Sequence, residues 1–167
     1  EAGNEKFQGH AKAAIGLWGY SSKVNDQRDT DAGGNPLLRF QRGGYMLGER
    51  TLLRLGGDQA RYLSGFARYT WGDGDSTAVK NSLNLGLHLK GPLASRPDDI
   101  VGLAWTRAGM SRKWRDVQAV PADTKSSEEA LEITWRFAVT PYLAIQPNFQ
   151  YVRNPGGGSA PNAKLMG

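Results

Sequence analysis

The sequence predicts an all-β fold in which antiparallel strands form the wall of a transmembrane β-barrel. Apolar and polar residues alternate with period two over many short segments, which is the pattern of strands whose two faces meet different surroundings. Polar, glycine-rich segments of unequal length separate these runs. No run approaches the roughly 20 consecutive apolar residues that a membrane-spanning helix requires, so the membrane would be crossed by strands alone.

The clearest alternation lies in residues 129–158, EALEITWRFAVTPYLAIQPNFQYVRNPGGG. Within 131–139 and 143–151 the odd positions are apolar or aromatic and the even positions are polar or small. Pro141 separates the two runs, which indicates an antiparallel hairpin. A connection through residues 141–143 fixes its register. The expected pairs are Trp135 with Phe149, Ile133 with Tyr151, Arg136 with Asn148, and Thr134 with Gln150.

The composition of the two faces favours a barrel over a soluble sandwich. A sandwich would expose a face rich in Lys, Glu, Thr and Ser to solvent. Here one face carries large aromatic side chains and the other carries amides and Arg136, which suits lipid outside and water inside. The sandwich stays open as the alternative.

The remaining elements follow in order along one predicted domain, residues 1–167. Strands are expected at 10–21, 44–55, 61–71, 82–90 and 99–109, and a last one begins after Asn162. Residues 22–42 and 111–127 are polar and aperiodic and are predicted to be long loops. Short turns are expected at 56–58 and 72–75, and a turn of moderate length at 91–98. Since outer-membrane barrels have short periplasmic turns and longer outer loops, we expect both long loops outside. Pro147 cannot donate to a strand ladder, so a bulge is expected there.

Composition excludes several classes of function. The net charge is +5, but the basic residues are scattered among strands, which argues against a nucleic-acid partner. The chain has no Cys and two His, so no thiolate or histidine metal site and no cofactor is expected. A new run begins just before Gly167, which suggests a piece of a longer protein.

Four segments resemble a known family. VTPYLAIQPNFQYVRNPGGG (139–158) is similar to the C-terminal signature of the carbohydrate-selective porins, the OprB family of Gram-negative outer membranes. RPDDIVGLAW (96–105), GGYMLGE (43–49) and DAGGNPL (31–37) also resemble that family. The resemblance implies a 16-stranded barrel of the outer-membrane porin type, with seven to eight strands in this C-terminal half. It also implies passage of glucose and related sugars, with outer-membrane lipid as the surroundings. Monomer and homotrimer both stay open.

Sugar passage requires hydrogen-bonding groups that replace water around hydroxyls, and flat surface for the ring. The pore-lining candidates are the polar residues at those alternate strand positions that lie on the water-facing side: Arg68, Asn84, His88, Lys90, Glu132, Arg136, Gln146, Asn148 and Gln150. Arg136 and Glu132 could instead form a structural ion pair, and Trp18 and Tyr20 could stack on sugar or anchor the interface.

Other functions are weaker. The surplus of Lys and Arg leaves a general or anion-preferring porin as the alternative. A barrel hydrolase would need a Ser–His pair beside an acid, and neither His10 nor His88 shows a serine at a common strand level. We therefore expect no enzyme. A soluble, lectin-like sandwich is the remaining class.

Overall fold

The computed structural model describes residues 10–56, 61–121, 123–158 and 162–166, and these form one antiparallel sheet. The sheet is a meander with the order β1-β2-β3-β4-β5-β6-β8-β9, and β7 also pairs with β6. The strands are β1 Ala11–Thr30, β2 Pro36–Arg54, β3 Tyr62–Gly72, β4 Val79–Lys90, β5 Ile100–Met110, β6 Ser127–Thr140, β7 Leu143–Ile145, β8 Asn148–Arg153 and β9 Ala163–Met166. The predicted all-β, antiparallel architecture is confirmed.

Helical structure is confined to two short segments of the described chain. The helix α1 spans Arg112–Asp116, inside the connection between β5 and β6, and Ser111 caps its N-terminus. Pro155–Gly158 (α2) is a glycine turn between β8 and β9. Among the described residues, no helix has the length and apolar character needed to cross a membrane.

The connections define two ends of the sheet. At the loop end, β1 turns into β2, β3 into β4, β5 into β6, and β8 into β9. At the turn end, β2 leads to β3, β4 to β5 through residues 91–99, and β6 to β7 through Pro141 and Tyr142. The predicted turn at 56–58 falls largely outside the described residues. The unequal lengths follow the sequence pattern, and which end faces the outside stays a prediction.

The prediction of an irregular loop at residues 22–42 is wrong. β1 and β2 continue through most of it as a two-stranded hairpin, and the turn is confined to residues 31–35. The Asp31 carboxylate accepts hydrogen bonds from the backbone N–H groups of Gly33 and Asn35, each 2.9 Å long, which stabilises that turn. Pairing of β2 with β3 ends at Gly43, so the hairpin rises beyond the wall. Beyond the wall, neither face of the hairpin has to pack against an apolar surface. The alternation of apolar and polar residues therefore disappears in this part of the sequence.

The predicted register of the β6 hairpin is displaced by two residues. Thr134 pairs with Asn148, Glu132 with Gln150, and Ile133 with Phe149. The loop contains two residues, Pro141 and Tyr142, and a bulge lies between Ala138 and Thr140 on β6. A shift of two leaves each side chain on its predicted face, because side-chain direction repeats every second residue.

The bulge expected at Pro147 is also absent. Ladder pairs keep the same register on both sides, from Phe137 with Ile145 to Thr134 with Asn148. The strand is merely interrupted, because proline has no N–H to donate. The Pro147 carbonyl still accepts a hydrogen bond from the Trp135 N–H at 3.2 Å, so the sheet remains continuous.

The sheet is a single layer with no hydrophobic core. Met110 is the only buried hydrophobic residue of the described chain. A soluble sandwich would bury one face of each sheet against the other. Here the apolar face is exposed, with Ile133 at 51% and Leu103 at 47%. An exposed apolar face of this extent is the outer surface of a barrel wall and not half of a sandwich.

Candidate pore-lining face

The predicted pore-lining residues all lie on one face of the sheet, which we call the polar face. Cross-strand pairs have a common face, and the pairs run in rows across neighbouring strands. Gln146 joins this face because its side-chain amide donates to the Thr134 hydroxyl at 3.2 Å. The rows are Tyr62–Lys90–Ile100–Arg136, Ser64–His88–Gly102–Thr134–Asn148, Phe66–Gly86–Ala104–Glu132–Gln150 and Arg68–Asn84–Thr106–Ala130.

The row nearest the turn end carries positive charge. Lys90 and Arg136 stand two strands apart, with Ile100 between them and Tyr62 beside Lys90. They line a polar cavity of about 680 Å³ that also includes Asp98. Neighbouring strands are about 4.8 Å apart, so the two cations lie within reach of one small solute.

His88 has a serine partner, contrary to the sequence-based expectation. Ser64 lies directly opposite it, and the Ser64 Oγ is 2.6 Å from the His88 Nε2. Ser64 is 4% exposed, so its hydroxyl cannot meet a substrate. The described residues supply no carboxylate hydrogen bond to the other His88 nitrogen. The pair therefore braces two strands and lacks the third group that orients a catalytic histidine.

A chain of hydroxyl and amide groups crosses the polar face closer to the loop end. The Thr70 and Ser82 hydroxyls are 2.7 Å apart, and the Asn84 amide donates to Ser82 at 3.3 Å. The Thr106 hydroxyl donates to the Asn84 side-chain oxygen at 3.0 Å. Three strands are thus linked through side chains that retain further donors and acceptors.

Glu132 binds Gln150 and not Arg136. The Gln150 side-chain amide donates to a Glu132 carboxylate oxygen. Arg136 is four residues along the same extended strand, a separation of about 13 Å. The structural ion pair considered from the sequence is therefore ruled out by strand geometry.

Aromatic side chains on the polar face lie over cross-strand glycines, and these were missed from sequence. A Cβ on Gly86 would overlap the Phe66 ring, one on Gly16 would overlap Tyr45, and one on Gly43 would approach the Trp18 ring at 2.6 Å. The aromatic ring therefore occupies space that is open only because the glycine has no side chain. Covering a strand glycine with an aromatic ring stabilises the pairing. The signal was readable as a glycine opposite an aromatic residue, but only with the register known.

A buried aspartate clamps the turn end. Asp99 accepts hydrogen bonds from Arg96 at 2.5 and 3.0 Å, from the Trp135 indole N–H at 3.1 Å and from the Ala138 backbone N–H at 3.0 Å. The Arg96 guanidinium, helped by the Ala138 and Trp135 donors against burial, lowers the pKa of the Asp99 carboxyl to about 2. The turn before β5 is thereby tied to β6.

An ion cluster ties the loop end together. The Lys113 Nζ on α1 lies 2.7 Å from Asp26, 2.7 Å from Asp29 and 2.9 Å from Asp75. Asp26 also pairs with Arg39 at 2.9 Å. Burial by itself lowers the pKa of Lys113, but the three carboxylates outweigh it and raise that pKa well above its ordinary value. Three separate connections thus meet at one ammonium group.

Comparison with known proteins agrees with this geometry. The family model described as "Carbohydrate-selective porin, OprB family" matches residues 1–167. Porin B of Pseudomonas aeruginosa is 27% identical over 180 aligned positions, which cover 94% of this chain and 39% of that protein. The high-pH structure of Pseudomonas putida OprB has a TM-score of 0.83 at 25% identity, covering 93% of this chain and 43% of that one. The low-pH structure of the same protein gives 0.54 at 24% identity.

The chain spans about two fifths of the length of these relatives, which agrees with the expected C-terminal portion. A family of porins indicates a channel rather than an enzyme. The continuous antiparallel wall, the exposed apolar face and the polar face opposite it are the parts that such a channel requires. The chain therefore belongs to the OprB family of carbohydrate-selective porins, which are proteins of the outer membrane of Gram-negative bacteria.

Proposed function

We propose that the full protein containing this chain is a passive channel for neutral sugars, and that the polar face lines its pore. One observation carries this proposal. The residues predicted from parity lie together in successive rows of amide, hydroxyl and charged groups. Such rows can replace the water around sugar hydroxyls one contact at a time, which permits entry without trapping the solute.

The opposite, apolar face would meet lipid in this proposal. Ile133 lies on it and Thr134 on the polar face, although the two are neighbours in β6. Ile133→Arg should cost roughly 2–4 kcal/mol of barrel stability, because it places a charge toward lipid near mid-strand. Thr134→Arg is the matched control and should assemble, because it adds the same charge to a water-facing surface.

The measurement is the heat-modifiable gel mobility of the assembled full-length protein, followed by sugar block of the ion current in planar bilayers. Thr134→Arg should change ion selectivity and sugar block, whereas Ile133→Arg should reduce the assembled fraction. Failure of Thr134→Arg to assemble, with normal assembly of Ile133→Arg, would mean that the faces are inverted.

A general or anion-preferring porin is the second candidate, and the row of Lys90 and Arg136 favours it. Arg136 is exposed and forms no ion pair with the residues that the structure describes, so Arg136→Glu reverses one of these charges without breaking such a pair. For an anion-preferring pore, the reversal potential in a KCl gradient should shift strongly toward cations, most at low salt. For a sugar pore, the main change should be in sugar block.

We also propose that the loop end is the outer end. Labels attached near Asp31, at the tip of the β1–β2 hairpin, and near Val120 should then be reached on intact cells. A label at Tyr142, which is 98% exposed at the turn end, should be reached only after the outer membrane is opened. The reverse pattern would invert the topology.

A further inference from the structure

The polar face contains a trough that runs along β5. The side chains of β5 on this face are small through the middle of the strand: Gly102, Ala104, Thr106 and Ala108. The strands on either side carry larger polar groups at the same levels, including His88 and Asn84 on β4 and Glu132 on β6. A strand of small residues between two banks of larger ones leaves open space above it.

Phe66 leans into this trough. Its ring covers Gly86 on β4, the strand between β3 and β5, so it extends from its own strand toward β5. Phe66 is 41% exposed as a residue, and its ring presents a flat apolar surface at the edge of the trough. Tyr45 has the same arrangement on β2, but its ring covers Gly16 on β1, which turns it away from β5.

The opposite bank at the same level consists of Glu132 and Gln150. Both belong to the row of Phe66, with Ala104 as the floor between the two banks. The backbones of Gly86 and Glu132 are two strand spacings apart, about 10 Å. The Gln150 amide donates to one carboxylate oxygen of Glu132, which leaves the second oxygen and the Gln150 carbonyl as acceptors.

We propose that Phe66, Glu132 and Gln150 form a subsite for a neutral pyranose. The face of the sugar ring that carries axial C–H groups would stack on Phe66, because the negative face of an aromatic ring attracts the weakly positive hydrogens. The sugar hydroxyls would donate to Glu132 and Gln150 across Ala104. The Glu132 charge disfavours acidic sugars at this level of the pore. This subsite rests on the proposed function, since it assumes that the polar face lines the pore.

The test uses the full-length protein in planar bilayers, with D-glucose and the acyclic D-sorbitol as probes that block the ion current. Sorbitol has similar hydroxyl groups but no ring to stack. Phe66→Leu keeps Gly86 covered and removes the aromatic face, and Tyr45→Leu is the matched control. We expect Phe66→Leu to weaken glucose block about threefold to tenfold, with sorbitol block unchanged. Tyr45→Leu should leave both unchanged.

The outcomes separate the subsite from the channel function. If the wild-type protein shows no glucose block, the proposed sugar channel fails and the subsite falls with it. If the wild type is blocked but Phe66→Leu behaves like wild type, or like Tyr45→Leu, the subsite alone is overturned. Ala104→Leu fills the floor without altering Phe66 and should weaken glucose block equally. Ala104→Leu is the deciding variant if Phe66→Leu does not assemble. In that case, glucose block of Ala104→Leu equal to that of the wild type would overturn the subsite.

Discussion

The two ends of the sheet each contain a buried aspartate, and the two are held in different ways. Asp99 at the turn end accepts four hydrogen bonds, of which two come from neutral N–H donors on β6 and two from Arg96 three residues away. Asp26 at the loop end accepts hydrogen bonds from the adjacent backbone N–H groups of Arg28 and Asp29. Its carboxylate also binds Arg39 and, 87 residues along the chain, Lys113. Asp99 ties one turn to the neighbouring strand β6, whereas Asp26 joins separate connections through ion pairs.

This difference indicates that the two ends differ in stability and in how strongly mutation, pH and salt affect them. The turn end depends on a compact clamp whose partners are already neighbours through the hairpin ladders. The loop end depends on ordering three connections around Lys113, which costs conformational entropy in all three. We therefore expect the loop end to open separately from the wall, as a local unfolding unit, whereas the turn end opens only with it.

The largest effect should come from Asp99→Ala. Removing this carboxylate leaves the half-buried Trp135 indole and Ala138 N–H groups without their acceptor and leaves Arg96 with only the Ala138 carbonyl. Donors that lose their acceptor away from water are costly. The midpoint of urea unfolding of the whole barrel should fall. Asp98→Ala is the control, because Asp98 is exposed. Equal midpoints for the two variants would show that the clamp does not stabilise the wall.

A smaller and more local effect is expected for Lys113→Met. It removes the ammonium group that separates Asp26, Asp29 and Asp75, at a cost of roughly 3 kcal/mol, the lower end for a broken buried pair. Protease cleavage within residues 22–42 should accelerate while the urea midpoint of the wall changes little. Arg112→Met is the control, since Arg112 is 83% exposed and reaches Asp116 at 4.0 Å. A global loss of stability would contradict the separation of the two ends.

The stabilities of the two ends should also depend on pH in different ways. The Asp99 pKa is lowered, so its stabilisation is present above pH 3.8 and is lost as pH falls toward about 2. The Lys113 pKa is raised, so its stabilisation is present below pH 10.5 and is lost as pH rises above that value. Arg96 stays charged in alkali. Hydrogen-exchange protection, corrected for the intrinsic base-catalysed exchange rate, should therefore fall in alkali for residues 22–42 but not for residues 91–99. A simultaneous fall in protection at both ends would remove the distinction.

The smallest effect is expected from Arg28→Gln. Arg28 pairs with Asp29 at 2.9 Å and with Asp116 at 2.7 Å, but its side chain is 42% exposed. Exposed ion pairs contribute little and are screened by salt. Protease cleavage of the β1–β2 hairpin should rise slightly at low salt and match wild type in 1 M NaCl. A large effect that persists at high salt would assign Arg28 to the buried part of the cluster.

Alternation was enough to predict the strands of the wall and, on β3, β4 and the β6 hairpin, the face of the side chains, because parity survives a shift of two residues. It left the facing of residues 44–55 open, since Arg50 and Arg54 interrupt the pattern there. It could not predict partners. The pairing of Glu132 with Gln150 depends on the bulge between Ala138 and Thr140, and that bulge does not change the alternation of apolar and polar residues. The Ser64–His88 contact required the β3–β4 register, and Phe66 was overlooked because an aromatic residue on a polar face breaks the pattern. The sequence of residues 22–42 predicts a loop where the structure has a hairpin, since strands that bury neither face show no alternation.

The aromatic rings that lie over glycines restrict how these positions can change during evolution. A ring on one strand and its glycine on the next occupy the same space, so neither position can change independently. Gly86→Ala should be tolerated only in lineages where Phe66 has become a smaller residue, and Gly16 and Tyr45 should be linked in the same way. Across the family, such positions should therefore vary as couples. A change at one member of a couple would mark the branch on which the other also changed.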